Sequence, residues 1–286
     1  MSPADIADVL VHALPYVRRF AGKSVVVKMG GGAMTDPELN RQLAEDVLLL
    51  RSVGVRIVLV HGGGPQIDDL MRRLGKQPEF RDGLRVTDAE TLDIVRMVLT
   101  GKINRELAAA INRQEQVAIG LSGEDGGLLQ VKQRDPALGF VGDVVAVNAS
   151  VLEQLLNDGL APVVSTIGSD GDGQAYNINA DAAAAAIAVA LGAEKLVYLT
   201  GAPGLLADPA NPASVIQRLT AAELRAHMAD PSVSAGMIPK LRASAEAVEA
   251  GVGRAHILDG RVPHVLLIEL LTDEGIGTMV KRERNW

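Results

Sequence analysis

Two glycine turns, each entered from an apolar β-branched run, constrain this chain more than any other feature. Arg56 to Val60 leads into Gly62, Gly63 and Gly64, and Pro65 then opens a segment with Ile67, Leu70, Met71 and Leu74 at helical spacing. The pattern reads as strand, glycine turn, helix. VVVKMGGGAM, residues 25–34, repeats its first half: a buried strand carries Lys28 and runs into Gly30, Gly31 and Gly32. Glycine lets backbone approach a ligand closely, and the amides that open a helix favour an anion. Two such turns are expected to face one anionic substrate; the alternative is a pair of tight turns with no ligand.

The same alternation continues along the chain. Asp36 and Pro37 open a helix that Gly54 ends, Asp88 caps a helix to about Leu99, and Gly101 precedes another over 103–115. Residues 78–87 read as irregular, and LSGEDGG after a strand at 117–121 reads as a flexible loop. Short β-like runs over 129–147 suggest hairpins beside the main sheet. A helix at 149–158, a strand at 162–167, an alanine-rich helix from Asp181 to Leu191, a strand at 196–200 and a helix from Thr220 come next. Lys240 lies in the first turn of a further helix, where the helix dipole disfavours a cation, so an anionic partner is expected for it. The tail reads as strand, turn, helix, glycine-rich turn and final strand. This order predicts an α/β fold, a mostly parallel sheet with helices on both faces and ligands beyond the carboxyl ends of the strands. The polar stretch GSDGDGQA, residues 168–175, is the expected lobe boundary.

At the N-terminus, Ser2, Pro3 and Asp5 form a helix start, and Ile6, Val9, Leu10, Ala13, Leu14 and Val17 keep one face apolar. Pro15 is expected to kink this helix, whose stripe either packs on its own domain or docks on another subunit.

Composition removes several function classes. Aromatic residues are 2% of the 286 and the net charge is -7, which argues against base-stacking platforms and against a basic nucleic-acid surface. Absence of cysteine excludes disulfides and thiolate metal sites and is compatible with a cytoplasmic protein. No apolar run reaches the ~18 residues of a membrane helix. Asp5 and Asp8 stand where a signal peptide would carry positive charge. GKS at 22–24 has Val17 where a P-loop needs glycine, and no G-x-G-x-x-G follows a strand. The five histidines show no paired ligand spacing and no G-x-S-x-G elbow occurs, so zinc and nucleophile-elbow chemistry are not expected. His61 is expected to support its glycine turn rather than to catalyse.

With the turns at 30–32 and 62–64, GLRVT at 83–87, NINAD at 177–181 and GMIPK at 236–240, the chain resembles the N-acetylglutamate kinases of the amino acid kinase family nearly end to end. The N-terminal helix and the HILDGRVPH and DEGIG segments resemble the arginine-inhibited, hexameric members. The resemblance implies an open αβα sandwich of two lobes. Residues 1–22 would be an oligomerisation helix, 23–173 a lobe for the acyl amino acid and dimerisation, and 174–286 a lobe for ATP and Mg²⁺, the metal being held mainly through the phosphates. It assigns Lys28 and Lys240 to the transferring phosphoryl group and Asp181 to holding the two lysines. Gly63, Gly64, Arg85, Asn177 and Asn179 fall to the substrate. Gly31, Thr200, Gly201, Gly204, Leu205, Gly236 and Met237 fall to the nucleotide, and Tyr16, His256, Glu269 and Gly277 to arginine. It further implies a homo-hexamer, a trimer of dimers.

The chemistry suits these roles, because a carboxylate nucleophile is already ionised at pH 7 and asks for positioning and charge neutralisation rather than a general base. Arg85 offers a planar fork for a second carboxylate, and Asp181 could also cap its helix. Met29, Gly32, Gly201 and Glu124 depart from residues common in the family. A kinase of an amino-protected α-aminoadipate and an arginine-sensing protein without catalysis are the alternatives.

Overall fold

The computed structural model describes residues 2–30, 36–230, 233–234, 236–273 and 275–283. Gly31 and Gly32 of the first turn therefore lie outside the described residues. The chain enters through helix α1 (Pro3–Phe20), whose Ser2 and Asp5 form a reciprocal capping box. Helix continues through Pro15, and Phe20 at its end is buried in the core. Strand β1 (Ser24–Met29), helix α2 (Pro37–Ser52), β2 (Arg56–His61) and α3 (Gly64–Arg73) come after it, with Asp36 capping α2.

Residues read as irregular form a small hairpin of an exposed strand β3 (Phe80–Arg81) and an inward strand β4 (Leu84–Arg85), turning at Asp82 and Gly83, both at positive φ. The two helices expected on either side of Gly101 are one helical run: α4 (Ala89–Arg96) passes through a π-helix, Met97–Ile103, into α5 (Asn104–Asn112). Gly101 sits inside the π segment, where it lengthens no loop and ends no helix. After β5 (Ala118–Ser122), the glycine loop is a short 3₁₀ turn held by Asp125 accepting from the Ser122 amide.

Strands β6 (Leu129–Gln133) and β7 (Val141–Val147) pair antiparallel, as the hairpin reading expected. Helix α6 (Ala149–Asn157) and strand β8 (Ala161–Ser165) return the chain to the main sheet. Strands β9 (Ile167–Ser169) and β10 (Ala175–Ile178) close a small barrel with β6 and β7, so the polar stretch 168–175 is largely the turn and flanks of a hairpin. Asp170 holds that turn by accepting from the amides of Asp172 and Gln174. Helix α7 (Ala180–Ala190), β11 (Lys195–Thr200), β12 (Arg218–Thr220), α8 (Ala221–His227), α9 (Ile238–Glu249), β13 (Arg254–Asp259), α10 (Val265–Leu271) and β14 (Thr278–Lys281) complete the chain.

The main sheet has the order β12-β14-β13-β11-β1-β2-β8-β5 and is parallel except where β14 meets β13. A strand buried at every position must be covered on both faces, and β1 at the centre is such a strand. Alternate side chains divide between two cores. Val25, Val27 and Met29 join Leu43, Leu107 and Leu266 on one face, while Val26 joins Ala184, Ile187 and Leu241 on the other. Because β1 and β2 run parallel in register, Met29 beside His61, the chain leaves both strands at one sheet edge.

Candidate active site

Lys28 is an even-numbered position of β1, so pleating sends it to the face covered by α7 and α9 rather than toward α2. Asp181 stands in the first turn of α7, and Lys240 in the first turn of α9. The three meet: Lys28 Nζ lies 2.7 Å from Asp181 Oδ1 and Lys240 Nζ lies 3.1 Å from Oδ2. Lys28 and Asp181 are buried. Burial pushes the Lys28 pKa down, nearby Lys240 adds to this, and the pull of Asp181 opposes it without cancelling it. For Asp181 burial would raise the pKa, yet the two ammoniums outweigh it and hold the carboxyl below its ordinary value. Two ammoniums on one carboxylate leave one positive charge in excess.

The helix dipole argument made for Lys240 thus meets an anion inside the protein. Asp181 is not the cap of its helix: Asn179 is, accepting from the amides of Asp181 and Ala182. Tyr198 Oη donates to the Asp181 backbone carbonyl at 3.1 Å, a further support that the sequence did not announce.

The glycine turns press against this cluster. A Cβ on Gly30 would lie 3.0 Å from Lys28 Nζ, and one on Gly62 3.2 Å from Ala180 Cβ. The Gly62 amide reaches the Met29 carbonyl at 3.4 Å, which ties the second turn to the end of β1. A Cβ on Gly63 would sit 2.3 Å from Ile103 Cδ1, so only glycine fits there. The amides of Gly63 and Gly64 head α3 and, as at any helix start, have no acceptor within the helix.

Arg85 lies at the same turn. It is buried, with Nη1 2.6 Å from Asp68 Oδ1, Nη2 donating to the Gly64 carbonyl at 3.4 Å, and its guanidinium stacked 4.7 Å from the Phe80 ring centre. Asn177 Nδ2 donates to Thr87 Oγ1 at 3.3 Å, and Thr87 Oγ1 donates to the Arg85 carbonyl at 2.9 Å. Asp68, one helical turn after Gly64, was the available signal for the Arg85 partner.

Thr200 ends β11, and its hydroxyl both accepts from the Ala202 amide and donates to the Ala202 carbonyl. Open space surrounds the Cβ positions of Gly201 and Gly236, whereas Gly204, at φ +150°, would put a Cβ 2.8 Å from Thr278 Oγ1. Leu205 is buried in the core, with its amide bonded to Thr278 Oγ1 at 2.8 Å. Met237 immediately precedes α9. Gly31 lies outside the described residues. Of the departures, Met29 is a core residue, and Glu124 pairs with Arg96 at 2.7 Å.

Tyr16, His256, Glu269 and Gly277 line one cavity of about 700 Å³. It lies against Lys195 at the start of β11 and Arg254 at the start of β13, the sheet edge opposite the glycine turns. Glu269 Oε1 meets Lys195 Nζ at 2.6 Å and His256 Nδ1 at 2.9 Å. Burial would raise the Glu269 carboxyl, but His256 and Lys195 bring it down to about 2. Gly277, at φ +78°, would put a Cβ 2.3 Å from the Ile257 carbonyl.

Among the described residues no group of three His, Cys, Asp or Glu side chains could hold a metal ion, and no helix is long and apolar enough to cross a membrane.

Residues 23–259 match the amino acid kinase family. The chain is 54% identical over 285 residues to an acetylglutamate kinase from Acidothermus cellulolyticus, with 96% of each chain covered. It is 48% identical over 285 residues to an acetylglutamate kinase from Syntrophomonas wolfei, with 99% of each covered. Among solved structures it superposes with a TM-score of 0.85 and 28% identity on an N-acetylglutamate synthase from Neisseria gonorrhoeae complexed with coenzyme A and N-acetyl-glutamate. That alignment covers 97% of this chain but only 63% of the synthase, so the chain spans less than two thirds of that protein.

Proposed function

Because the chain belongs to the amino acid kinase family, we propose that it transfers the γ-phosphoryl group of ATP to the side-chain carboxylate of N-acetyl-L-glutamate. The observation that carries the reading is the buried Lys28–Asp181–Lys240 cluster beside the two glycine turns. A carboxylate oxygen attacks the γ-phosphorus, the bond to the ADP oxygen breaks, and no proton has to be moved. Charge gathers on the equatorial oxygens as this happens, and Lys28 and Lys240 are the cations assigned to meet it, with Asp181 keeping them from drifting apart. The Gly63 and Gly64 amides and the Arg85 fork hold the acyl amino acid, Arg85 taking the carboxylate that does not react. Asn177 supports this pocket from β10, and Asn179 serves it indirectly by capping α7.

The nucleotide belongs at the end of β11, where open space around Gly201 leaves room for a ligand, and at the start of α9, where Gly236 is likewise uncrowded. Mg²⁺, which neutralises phosphate charge, would arrive with the phosphates. In this reading the two lobes meet in the main sheet between β1 and β11, with β10 on the side of the small barrel it closes with β6, β7 and β9.

Regulation by arginine is part of the same proposal. The cavity containing Tyr16, His256, Glu269 and Gly277 supports it, since Glu269 and Asp273 offer carboxylates to a guanidinium and an ammonium. The exposed apolar face of α1, with Ile6, Val9, Leu10, Val11 and Leu14 between 43% and 67% exposed, supports association with a second copy and thence a hexamer.

ADP release measured with N-acetyl-L-glutamate, glutamate, aspartate and N-acetyl-α-aminoadipate tests the substrate. Turnover is expected to be greatest with the first; a preference for the longer homologue would replace that substrate, and no turnover with any would favour a binding protein. Pocket fit separates such homologues by only about 1–3 kcal/mol, so the ratio of kcat/KM values is the quantity to compare.

A further inference from the structure

We infer that Asn104 is a positioning residue for the glycine turn at 62–64, acting through His61. The inference deepens the substrate reading of that turn and names the group that fixes its geometry. Both side chains are completely buried, and neither touches the Lys28–Asp181–Lys240 cluster.

Asn104 opens α5 directly after the π-helix, a form that recurs at functional sites because it re-aims the residues it carries. Its neighbours settle which end of the amide is which. Oδ1 accepts from Arg105 Nη2, while Nδ2 faces the Val163 carbonyl at 2.8 Å and the Leu121 carbonyl at 3.2 Å. Nδ2 has two hydrogens and no free lone pair; with one on the Val163 carbonyl, the other is shared between the Leu121 carbonyl and His61 Nε2 at 3.1 Å, which assigns Nε2 as the bare, accepting nitrogen of the ring. The ring proton is then on Nδ1, which donates to the Gly62 carbonyl at 3.0 Å. Burial pushes His61 down to about 4, in keeping with a neutral ring.

Both peptide groups of Gly62 are thereby held, the one that carries its carbonyl and the Gly63 amide by His61, and the one that carries its own amide by the Met29 carbonyl. The amides of Gly63 and Gly64 come immediately after it in the chain. A glycine run has the freedom to rotate those amides away from a ligand, and the chain Asn104–His61–Gly62 removes that freedom. Asn104 also contacts the end of β2, the middle of β8 and the last residues of β5, so it references the glycine turn to three neighbouring strands.

The test uses the full-length protein and the variants Asn104→Ala, His61→Ala and their combination. Each single variant is expected to raise KM for N-acetyl-L-glutamate about 10-fold or more, leaving KM for ATP within about twofold. The double variant is expected to be no worse than about twofold beyond the weaker-binding single, because both remove one chain of contacts. Multiplying effects, or an Asn104→Ala KM within about twofold of wild type, would overturn the inference. Thr100→Val is the matched control: it cuts the 3.1 Å contact with Ser165 Oγ from the same π-helix and is expected to lower stability without moving KM. If Asn104→Ala does not fold, Asn104→Ser is read in its place, with a rise in the same KM expected.

Amide hydrogen exchange of the ligand-free proteins gives a readout that needs no substrate. Residues 59–67 are expected to exchange about 10-fold faster in Asn104→Ala, with residues 195–200 unchanged. Equal exchange in the turn would overturn the inference. Failure of wild type to phosphorylate N-acetyl-L-glutamate would sink the substrate reading alone, since the exchange comparison still decides the role of Asn104.

Discussion

A lysine beside a carboxylate is ordinarily a neutralised pair; Asp181 is shared between two lysines, and the second is what leaves a net positive charge for the proposed phosphoryl transfer. Lys28→Ala and Lys240→Ala are each expected to lower kcat by at least about 10²-fold with folding intact, because the contacts assigned to them strengthen as charge develops. An unchanged kcat would remove that lysine from the mechanism. Arg85→Ala should behave differently and raise KM for the acyl amino acid far more than for ATP, since the carboxylate assigned to it does not react. The lysines and Arg85 stood out in the sequence because chemistry restricts which residue types could do the work proposed for them. Asp68 had a signal in its spacing from Gly64, whereas His61's tautomer and the capping role of Asn179 had none, because each depends on which atoms the fold brings within hydrogen-bonding distance.

Elements sort the same way. Helices with caps and strands with unbroken apolar runs stood out, as at α2 with Asp36 and at α1 with its capping box. The π-helix did not, because Met97–Ile103 has the apolar spacing of an ordinary helix and a glycine that reads as a stop. Nor did β12, which owes its strand character to β14 far along the chain, or the β9–β10 hairpin, whose polar, glycine-rich turn reads as a loop. Helix α1 is divided: its last turn belongs to the body through Phe20, while the five large apolar residues before Pro15 are exposed. Removal of residues 1–14 is therefore expected to spare the fold and the phosphoryl transfer and to reduce the proposed hexamer to a dimer by light scattering. A hexamer persisting after that deletion would place the contact elsewhere.

For the molecule as a whole, the alternation of strands and helices was enough to predict the parallel sheet, since chain order and right-handed crossovers leave few other arrangements. The two-core interior has a pH signature. His61 falls from the ordinary 6.5 to about 4 on folding, so the unfolded chain binds the extra proton between those values, and stability contributed by the neutral ring is lost as pH falls through that window. The loss is at most about 3 kcal/mol. Glu269, held near 2, adds its own loss only below about 4.5. Denaturant unfolding from pH 7 to 4 should show a shallower slope in His61→Gln than in wild type; identical slopes would mean the ring is not neutral in the fold. The central strand has a consequence for how the protein is made. Val25 pairs with Ile57 on one side but with Lys195 on the other, 170 residues later. At ~5–20 residues per second the ribosome needs roughly 8–34 s to supply that second partner. Throughout that interval the newborn chain exposes an apolar strand with an open edge, a template for pairing with any other strand nearby, and the first half of the polypeptide depends on being shielded until the second half emerges.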